Sequence, residues 1–129
     1  MRIALAVLLF LHGAAHLVGF AVPFGMAGTE AQRSVTTIAG GTIDLGRGGM
    51  RLFGVAWLLL AIAFAAVALM IVNGAPTWRF AAALGIVAAS TTMCVVALPL
   101  TSVGLALNVA LLAWIVLGMD RGWFVALMT

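Results

Sequence analysis

Apolar residues form long, nearly uninterrupted stretches in this chain, and polar residues gather at a few points between them. The first stretch runs from Ile3 to Val22 and ends at Pro23, which lacks the backbone N–H that a helix interior requires. It contains about 20 residues, enough for a helix that crosses a ~30 Å hydrocarbon core. We therefore predict a first transmembrane helix over residues 3–22.

The same stretch also carries features of a secretory signal peptide. Arg2 precedes the apolar run, and the small residues Gly13, Ala14 and Ala15 are typical of a cleavage site. Because the apolar run continues beyond these small residues to Val22, we interpret the segment as an uncleaved first span.

The remaining apolar stretches predict three further spans. One covers about residues 50–72. Residues 80–119 then contain no charged side chain, a length that suits two spans better than one. Pro99 marks the break, which gives spans at about 77–98 and 99–118. Since the connections after the second and third spans are short, neighbouring helices must be antiparallel, and we predict an all-α membrane protein with an antiparallel four-helix bundle.

The one long connection, residues 23–49, joins the first two spans and is rich in glycine. β-Branched residues flank the Gly40–Gly41 pair on both sides, a pattern typical of a β-hairpin with a two-residue turn. Pairing across that turn sets Ile38 opposite Ile43. We predict a short hairpin over one end of the bundle, and an irregular glycine-rich loop is the alternative.

Composition agrees with this class. Of the 129 residues, 66% are hydrophobic and 7% are charged, whereas soluble domains carry about 25% charged residues. The length accommodates a single integral membrane domain whose main partner is the lipid bilayer. Its six arginines stand singly at the ends of spans, an arrangement that fits lipid headgroups and argues against nucleic-acid binding.

The arginines do not decide the orientation, because three fall on each side of the predicted bundle. The N-terminal amine and the shortness of the connections on its side favour a cytoplasmic N-terminus. An even number of spans then returns the C-terminus to the cytoplasmic side as well.

Two histidines, His12 and His16, stand near the middle of the first span. They share one helix face, since four residues make about 1.1 turns, and an imidazole in hydrocarbon needs a polar partner inside the bundle. The polar residues at matching depth in the third and fourth spans are Ser90, Thr91, Thr92, Cys94 and Asn108. We predict that these residues and the histidines form one hydrogen-bonded polar cluster.

Ligation is a second interpretation of His12 and His16, because two histidines at this spacing can both reach one transition metal ion. Gly13 occupies the position where His-Glu-x-x-His proteases carry their general base, so that class is excluded. A closed four-ligand metal site, or haem held from both faces, requires further ligands from a second subunit or a partner. A third interpretation is a small proton-linked transporter in which the imidazoles carry the proton.

Arg51 lies in the first turn of the second span, where a cation opposes the helix dipole. Arg47 lies one turn earlier, and Asp44 precedes both. At this end of the bundle, Asp44, Arg47 and Arg51 are predicted to contact an anion or a headgroup. Together with His16 they bound a pocket for an anion or a quinone headgroup. The alternative is that the arginines anchor the helix among lipid headgroups.

Short motifs carry a family resemblance. The first span contains His12-Gly13-x-x-His16-Leu17-x-Gly19-Phe20, and later stretches read Asp44-Leu45-Gly46 and Arg51-x-x-Gly54-x-x-Trp57-Leu58-Leu59. These motifs resemble a group of small, uncharacterised bacterial membrane proteins with four spans. The resemblance implies a four-helix membrane protein of bacterial origin and no established activity, and we expect its location to be the bacterial inner membrane. A looser similarity to DoxX-type proteins, some of them linked to quinone-level redox chemistry, implies a redox role.

No usable Ser-His-Asp or Cys-His arrangement is present, so we predict a protein without its own catalysis. The first hypothesis is an accessory, assembly or structural subunit of a larger membrane complex, or a self-associating homo-oligomeric bundle. Small residues at four-residue spacing favour close helix packing within the chain or between copies. These residues are Ala61 and Ala65 in the second span and Ala81, Gly85 and Ala89 in the third. The alternative hypothesis is a redox subunit that binds haem, a metal or a quinone through the two histidines.

Overall fold

The computed structural model describes residues 1–74 and 78–124. The long helices in this part of the chain are α1 (Arg2–Ala21), α3 (Gly46–Val72), α4 (Trp78–Val96) and α5 (Ser102–Asp120). The connection between α1 and α3 contains a short helix α2 (Glu30–Arg33) and strands β1 (Thr37–Ile38) and β2 (Ile43–Asp44). Each long helix is long and apolar enough to cross a membrane. The predicted all-α membrane bundle is confirmed.

The bundle consists of two helix pairs. α1 packs along α3, α4 packs along α5, and the contact of α3 with α4 joins the pairs. Among the described residues, α1 and α5 make at most slight contact. An apolar core fills the end of the bundle where α1 begins and α5 ends. Its fully buried members include Leu5, Leu9, Phe64, Ile71, Phe80, Val87, Ile115 and Phe124.

Glycines on α1 allow the close approach of α3. A Cβ atom at Gly13 would lie 2.4 Å from the Cβ of Phe64 and 3.3 Å from the backbone oxygen of Ala61. A Cβ atom at Gly19 would lie 2.7 Å from the Cγ of Trp57. Only a residue without a side chain fits either position, so these glycines set the spacing of the most extensive helix pair.

The small-residue rows have different surroundings in the two spans. Ala61 on α3 is buried beside Gly13 of α1. The row on α4, formed by Ala81, Gly85 and Ala89, is exposed, and a Cβ atom at Gly85 would meet no atom within 4 Å. The α4 row therefore makes no close helix contact within the described part of the chain.

The second span begins earlier than expected, at Gly46 rather than near Met50. The backbone N–H of Gly46 donates to Oδ1 of Asp44 at 2.9 Å, a local hydrogen bond typical of aspartate in turns. This bond orders the chain immediately before the helix, which then begins among glycines that sequence reasoning assigned to the loop.

The third and fourth spans are separated by a turn at residues 97–101. In this turn the Thr101 hydroxyl donates to the backbone carbonyl of Cys94 at 2.5 Å. α4 therefore ends at Val96 and α5 begins at Ser102, three residues after the expected start at Pro99. The expected start of the third span at residue 77 lies outside the described residues.

The predicted hairpin is present between α1 and α3. β1 and β2 pair antiparallel with Ile38 opposite Ile43, which is the predicted register. The loop is longer than the expected Gly-Gly turn, because residues 39–42 separate the two strands. Within this loop Ala39 has a positive φ of 52°, as the two glycines also do. The reversal is nevertheless centred on Gly40 and Gly41, as expected, and this turn contacts α4.

Candidate functional site

Four side chains form a chain of hydrogen bonds across the interior of the bundle. His12 Nε2 lies 2.7 Å from Asn108 Oδ1, and Asn108 Nδ2 donates to Ser90 Oγ at 2.9 Å. Ser90 Oγ in turn lies 2.8 Å from His16 Nε2. We call His12, His16, Ser90 and Asn108 the polar layer. It links α1 to α4 and α5, with which α1 shares little direct packing.

The Asn108 amide determines the direction of two of these hydrogen bonds. Its Oδ1 accepts from His12, so His12 carries its proton on Nε2. Its Nδ2 donates to Ser90 Oγ, which also shares a hydrogen bond with His16 Nε2. A serine hydroxyl has one hydrogen and two lone pairs, so it can serve both of these partners at once.

The polar layer is enclosed by the helices. Ser90 and Asn108 are 0% exposed, and His12 and His16 are 8% and 6% exposed. The Phe64 ring lies 5.2 Å from the His12 ring and 5.3 Å from the His16 ring, measured between centroids. Buried polar groups of this kind are costly unless they are paired, and each of the four side chains has at least one hydrogen-bond partner within the layer.

Thr91 and Thr92 lie outside the polar layer, contrary to the predicted cluster. The Thr91 hydroxyl donates to the Val87 carbonyl at 2.7 Å, and the Thr92 hydroxyl donates to the Ala88 carbonyl at 3.2 Å. Both bonds stay within α4, as is common for helical threonines. Successive residues turn by about 100° around a helix axis, so only Ser90 of this run points to the histidines.

The different hydrogen-bond partners of Ser90 and Thr92 predict different effects of substitution on stability. Ser90→Ala is expected to lower the free energy of unfolding by about 1–2 kcal/mol, because His16 Nε2 and one Asn108 donor lose their partner. The matched change Thr92→Val should stay within about 0.5 kcal/mol. Reversible unfolding in mixed detergent micelles measures both. Equal losses in the two variants would contradict the assignment of Ser90 to the polar layer.

A cavity of about 680 Å³ extends from the polar layer to the end of the bundle where α1 ends and α3 and α5 begin. His12 and His16 line its inner end, and Trp57 and Cys94 line its walls. Near the connection it is lined by charged side chains, which are Glu30, Arg33, Arg47 and Arg51. Its volume lies in the range of small-molecule sites, about 300–1,000 Å³.

The charged residues at the outer part of this cavity, which we call its rim, are predominantly cationic. Three arginines and one glutamate line the cavity, a net of two positive charges. The Arg51 guanidinium lies 5.8 Å from the centroid of the Phe24 ring. Arg33 donates to the backbone carbonyls of Ala27 and Gly28, at 3.1 and 2.7 Å.

The same end of the bundle holds the N-termini of α3 and α5. No side-chain hydrogen bond from the N-cap residue Thr101 caps α5, because the Thr101 hydroxyl donates to Cys94 instead, whereas at α3 the Asp44 carboxylate accepts from the first N–H, that of Gly46. The free N–H groups of a first helical turn carry partial positive charge. Backbone and side chains therefore both favour an anion at the rim.

Two of the three residues predicted to contact a headgroup lie at this rim. Arg47 and Arg51 line the cavity together with His16, whereas Asp44 is not among the lining residues. Asp44 instead accepts from the backbone N–H of Gly46. This bond and a hydrogen bond with Thr36 lower the pKa of the Asp44 carboxyl, so at neutral pH it is an ionised residue of the connection.

Trp57 also lines the cavity, although it is not among the predicted site residues. Its ring centroid lies 5.0 Å from that of His16. The spacing of Arg47, Met50, Arg51 and Trp57, all of which line the cavity, follows one helix face. That spacing is the sequence pattern that marks the cavity wall. It is difficult to recognise, because Trp57 lies in an apolar run in which most neighbours are also apolar.

The two histidine rings are oriented for hydrogen bonding and not for ligation of a shared metal ion. Their ring centroids are 4.8 Å apart with an angle of 75° between the planes, and both Nε2 atoms face polar-layer partners. Nε2 ligation of a metal or haem would therefore break those bonds. Within residues 1–74 and 78–124, no group of three His, Cys, Asp or Glu residues is arranged to hold a metal ion.

Fold and site together define a class, a four-span helical membrane protein whose cavity runs from a cationic rim to a buried polar layer. Comparison with protein-family models, curated proteins and solved structures finds no match for this chain. A function for this chain is therefore inferred from the geometry of the cavity.

Proposed function

We propose that this protein is a small membrane subunit that binds an amphipathic ligand and catalyses no reaction of its own. The observation that carries the proposal is the cavity of about 680 Å³ with a cationic rim and mainly apolar walls. A polar headgroup fits the rim. An apolar body fits the walls, which include Val18, Phe53 and Leu107.

The cellular setting is part of the proposal. Four apolar helices and the His12–Phe20 motif support a bacterial inner-membrane protein with both termini in the cytoplasm. In that orientation the cavity opens on the outer side, opposite the termini. The exposed row of Ala81, Gly85 and Ala89 supports contact with another helix, as expected for an accessory subunit of a larger complex or for a self-associating bundle.

The packing below the polar layer favours binding over transport. Leu5, Leu9 and Ile115 are 0% exposed in the apolar core that follows the cavity along the bundle axis. A proton or solute that crossed from the histidines to the other end would have to pass this core. The cavity is therefore better suited to hold a ligand than to conduct one.

A quinone-binding redox subunit is the second candidate, and one observation favours it. His16 lines the cavity and is hydrogen-bonded to Ser90 through Nε2, which leaves its Nδ1 for a ligand. A quinone carbonyl accepts from an imidazole N–H and is a suitable partner at this position. Trp57, at 5.0 Å from the His16 ring, offers a flat surface for the quinone ring.

Two adjacent alanines of α1 provide the test. Ala15 lines the cavity, whereas Ala14 does not, and both are exposed. We expect Ala15→Trp to reduce the amount of bound ligand by about tenfold, or about 1.4 kcal/mol, because the indole occupies the space of the ligand. Ala14→Trp should leave binding unchanged.

The measurement is native mass spectrometry of each variant released from nanodiscs that contain bacterial polar lipids and ubiquinone. Far-ultraviolet circular dichroism and gel filtration confirm that the variants are folded. Retention of an amphiphile by the wild-type protein and by Ala14→Trp, with loss in Ala15→Trp, supports the proposal. A wild-type protein that retains no amphiphile, or equal retention by both tryptophan variants, overturns it.

A further inference from the structure

A second, apolar groove continues from the cavity between α1 and α5. Its volume is about 320 Å³. It is lined by Leu8, Leu11, His12, Ala15, Leu107, Ala110, Leu111 and Trp114. Three of these residues, His12, Ala15 and Leu107, also line the cavity. The groove and the cavity therefore meet at the level of the polar layer.

The groove exists because α1 and α5 do not close against each other. Leu8, Leu11 and Leu107 are 44%, 58% and 51% exposed, so this side of the bundle faces the surroundings of the helices. In a bilayer those surroundings are acyl chains. The cavity therefore has an apolar lateral opening in addition to its cationic rim.

We infer that the ligand is an anionic phospholipid, with its phosphate at Arg47 and Arg51 and one acyl chain in the groove between α1 and α5. The inference rests on the proposed function and specifies the ligand class. Arginine pairs with phosphate through two parallel hydrogen bonds, and the rim carries a net of two positive charges. A neutral quinone headgroup gains nothing from this charge.

The length of the path also fits. Val22 lines the cavity near its rim, and Leu11 and Leu8 line the groove. At 1.5 Å per residue, the distance along α1 from Val22 to Leu11 or Leu8 is about 16–21 Å. One leaflet of the hydrocarbon core is ~15 Å thick, so a single acyl chain that starts at the rim reaches the groove at about the level of Leu11.

The uncapped N-terminus of α5 strengthens the preference for phosphate. This helix begins at the rim end without a side-chain cap, and a phosphate is a favourable partner for such N–H groups. The cavity, the rim charge and the groove thus select the same molecule, one that is anionic at one end and aliphatic at the other.

The double variant Arg47→Gln with Arg51→Gln tests the inference. The probe is phosphatidylglycerol, supplied as a minor component of phosphatidylcholine vesicles, and native mass spectrometry measures which lipid the full-length protein retains. We expect the wild-type protein to be enriched in phosphatidylglycerol about tenfold over the vesicle, equivalent to about 1.4 kcal/mol. The double variant should retain both lipids in the vesicle ratio. Arg121→Gln, at the opposite end of the bundle, should behave as the wild type does.

Two further arms use the unmodified protein, so the result does not depend on the folding of the variant. Raising salt from 0.1 to 1 M shortens the screening length from about 10 to 3 Å and should reduce the enrichment. Inorganic phosphate in excess should not displace the lipid, because it lacks the acyl chain. Enrichment that survives in the double variant or is unaffected by salt overturns the inference, as does displacement by phosphate alone.

These measurements distinguish failure of the phospholipid inference from failure of the proposed function. Retention of ubiquinone or phosphatidylcholine in preference to phosphatidylglycerol, with loss in Ala15→Trp, overturns the anionic phospholipid and leaves an amphiphile-binding subunit. Retention of no amphiphile at all overturns both.

Discussion

Gly13→Ala is expected to lower the free energy of unfolding by about 3 kcal/mol, near the upper end of the cost of overpacking. The added methyl group would lie 2.4 Å from the Cβ of Phe64 and 3.3 Å from the backbone oxygen of Ala61. Neither atom is the flexible end of a side chain, so α1 and α3 must move apart. That movement also disturbs the contact of Phe64 with both histidines.

Gly85→Ala is the matched control, since Gly85 is also a helical glycine, but a methyl group added there would have no atom within 4 Å. Its effect should be neutral or stabilising by up to about 1 kcal/mol, because alanine is the better helix former. Unfolding of both variants in mixed micelles, followed by circular dichroism, gives the comparison. Similar losses at the two positions would show that the α1–α3 spacing does not depend on Gly13.

Asn108→Leu is expected to have the second-largest effect and to lower the free energy of unfolding by about 2 kcal/mol. Hydrogen bonds between membrane helices average about 0.6 kcal/mol each, and a buried group without a partner costs about 1–3 kcal/mol. Asn108 is 0% exposed and contacts three polar groups, on His12, Ser90 and Cys94, the last at 3.4 Å. Leucine is similar in size and makes none of these bonds, so the donor of His12 loses its acceptor. Reversible unfolding in mixed micelles measures the loss.

A double-mutant cycle isolates the contribution of the His12–Asn108 bond. Because His12→Leu and Asn108→Leu remove the same hydrogen bond, their combined cost should be smaller than the sum by about 0.5–3 kcal/mol. Asn108→Leu and Thr92→Val should be additive, since Thr92 bonds only its own helix. Additive losses for His12 and Asn108 would contradict the polar layer.

The polar layer and the cavity have a common structural origin. The two helix pairs are held together by apolar packing at one end of the bundle, where Leu5 and Phe64 of one pair share a buried core with Phe80 and Ile115 of the other. At the other end the cavity lies between them, and residues of the long α1–α3 connection line part of it. The hydrogen bonds between His12 and Asn108 and between His16 and Ser90 lie at the boundary of these regions, where α1 reaches the α4–α5 pair.

The four spanning helices were predictable from the sequence alone. In hydrocarbon every backbone N–H and C=O must be satisfied within its own segment, so apolar stretches of this length form helices whatever their neighbours are. Short connections then made the neighbours antiparallel, and counting along antiparallel helices correctly placed Asn108 at the depth of His12. The Ile38–Ile43 register was predictable as well, because the position of the reversal determines which residues pair.

Only the tertiary structure decided which polar residue of α4 meets the histidines and where the bundle stays open. Depth counting treats Ser90, Thr91 and Thr92 alike, since they differ by about 1.5 Å in height but by about 100° in direction per residue. Packing sets the rotation of α4 about its axis, and that rotation selects Ser90. The cavity likewise depends on the separation of α1 from α5. The sequence does not predict this separation, because an apolar helix face can be covered equally well by lipid or by protein.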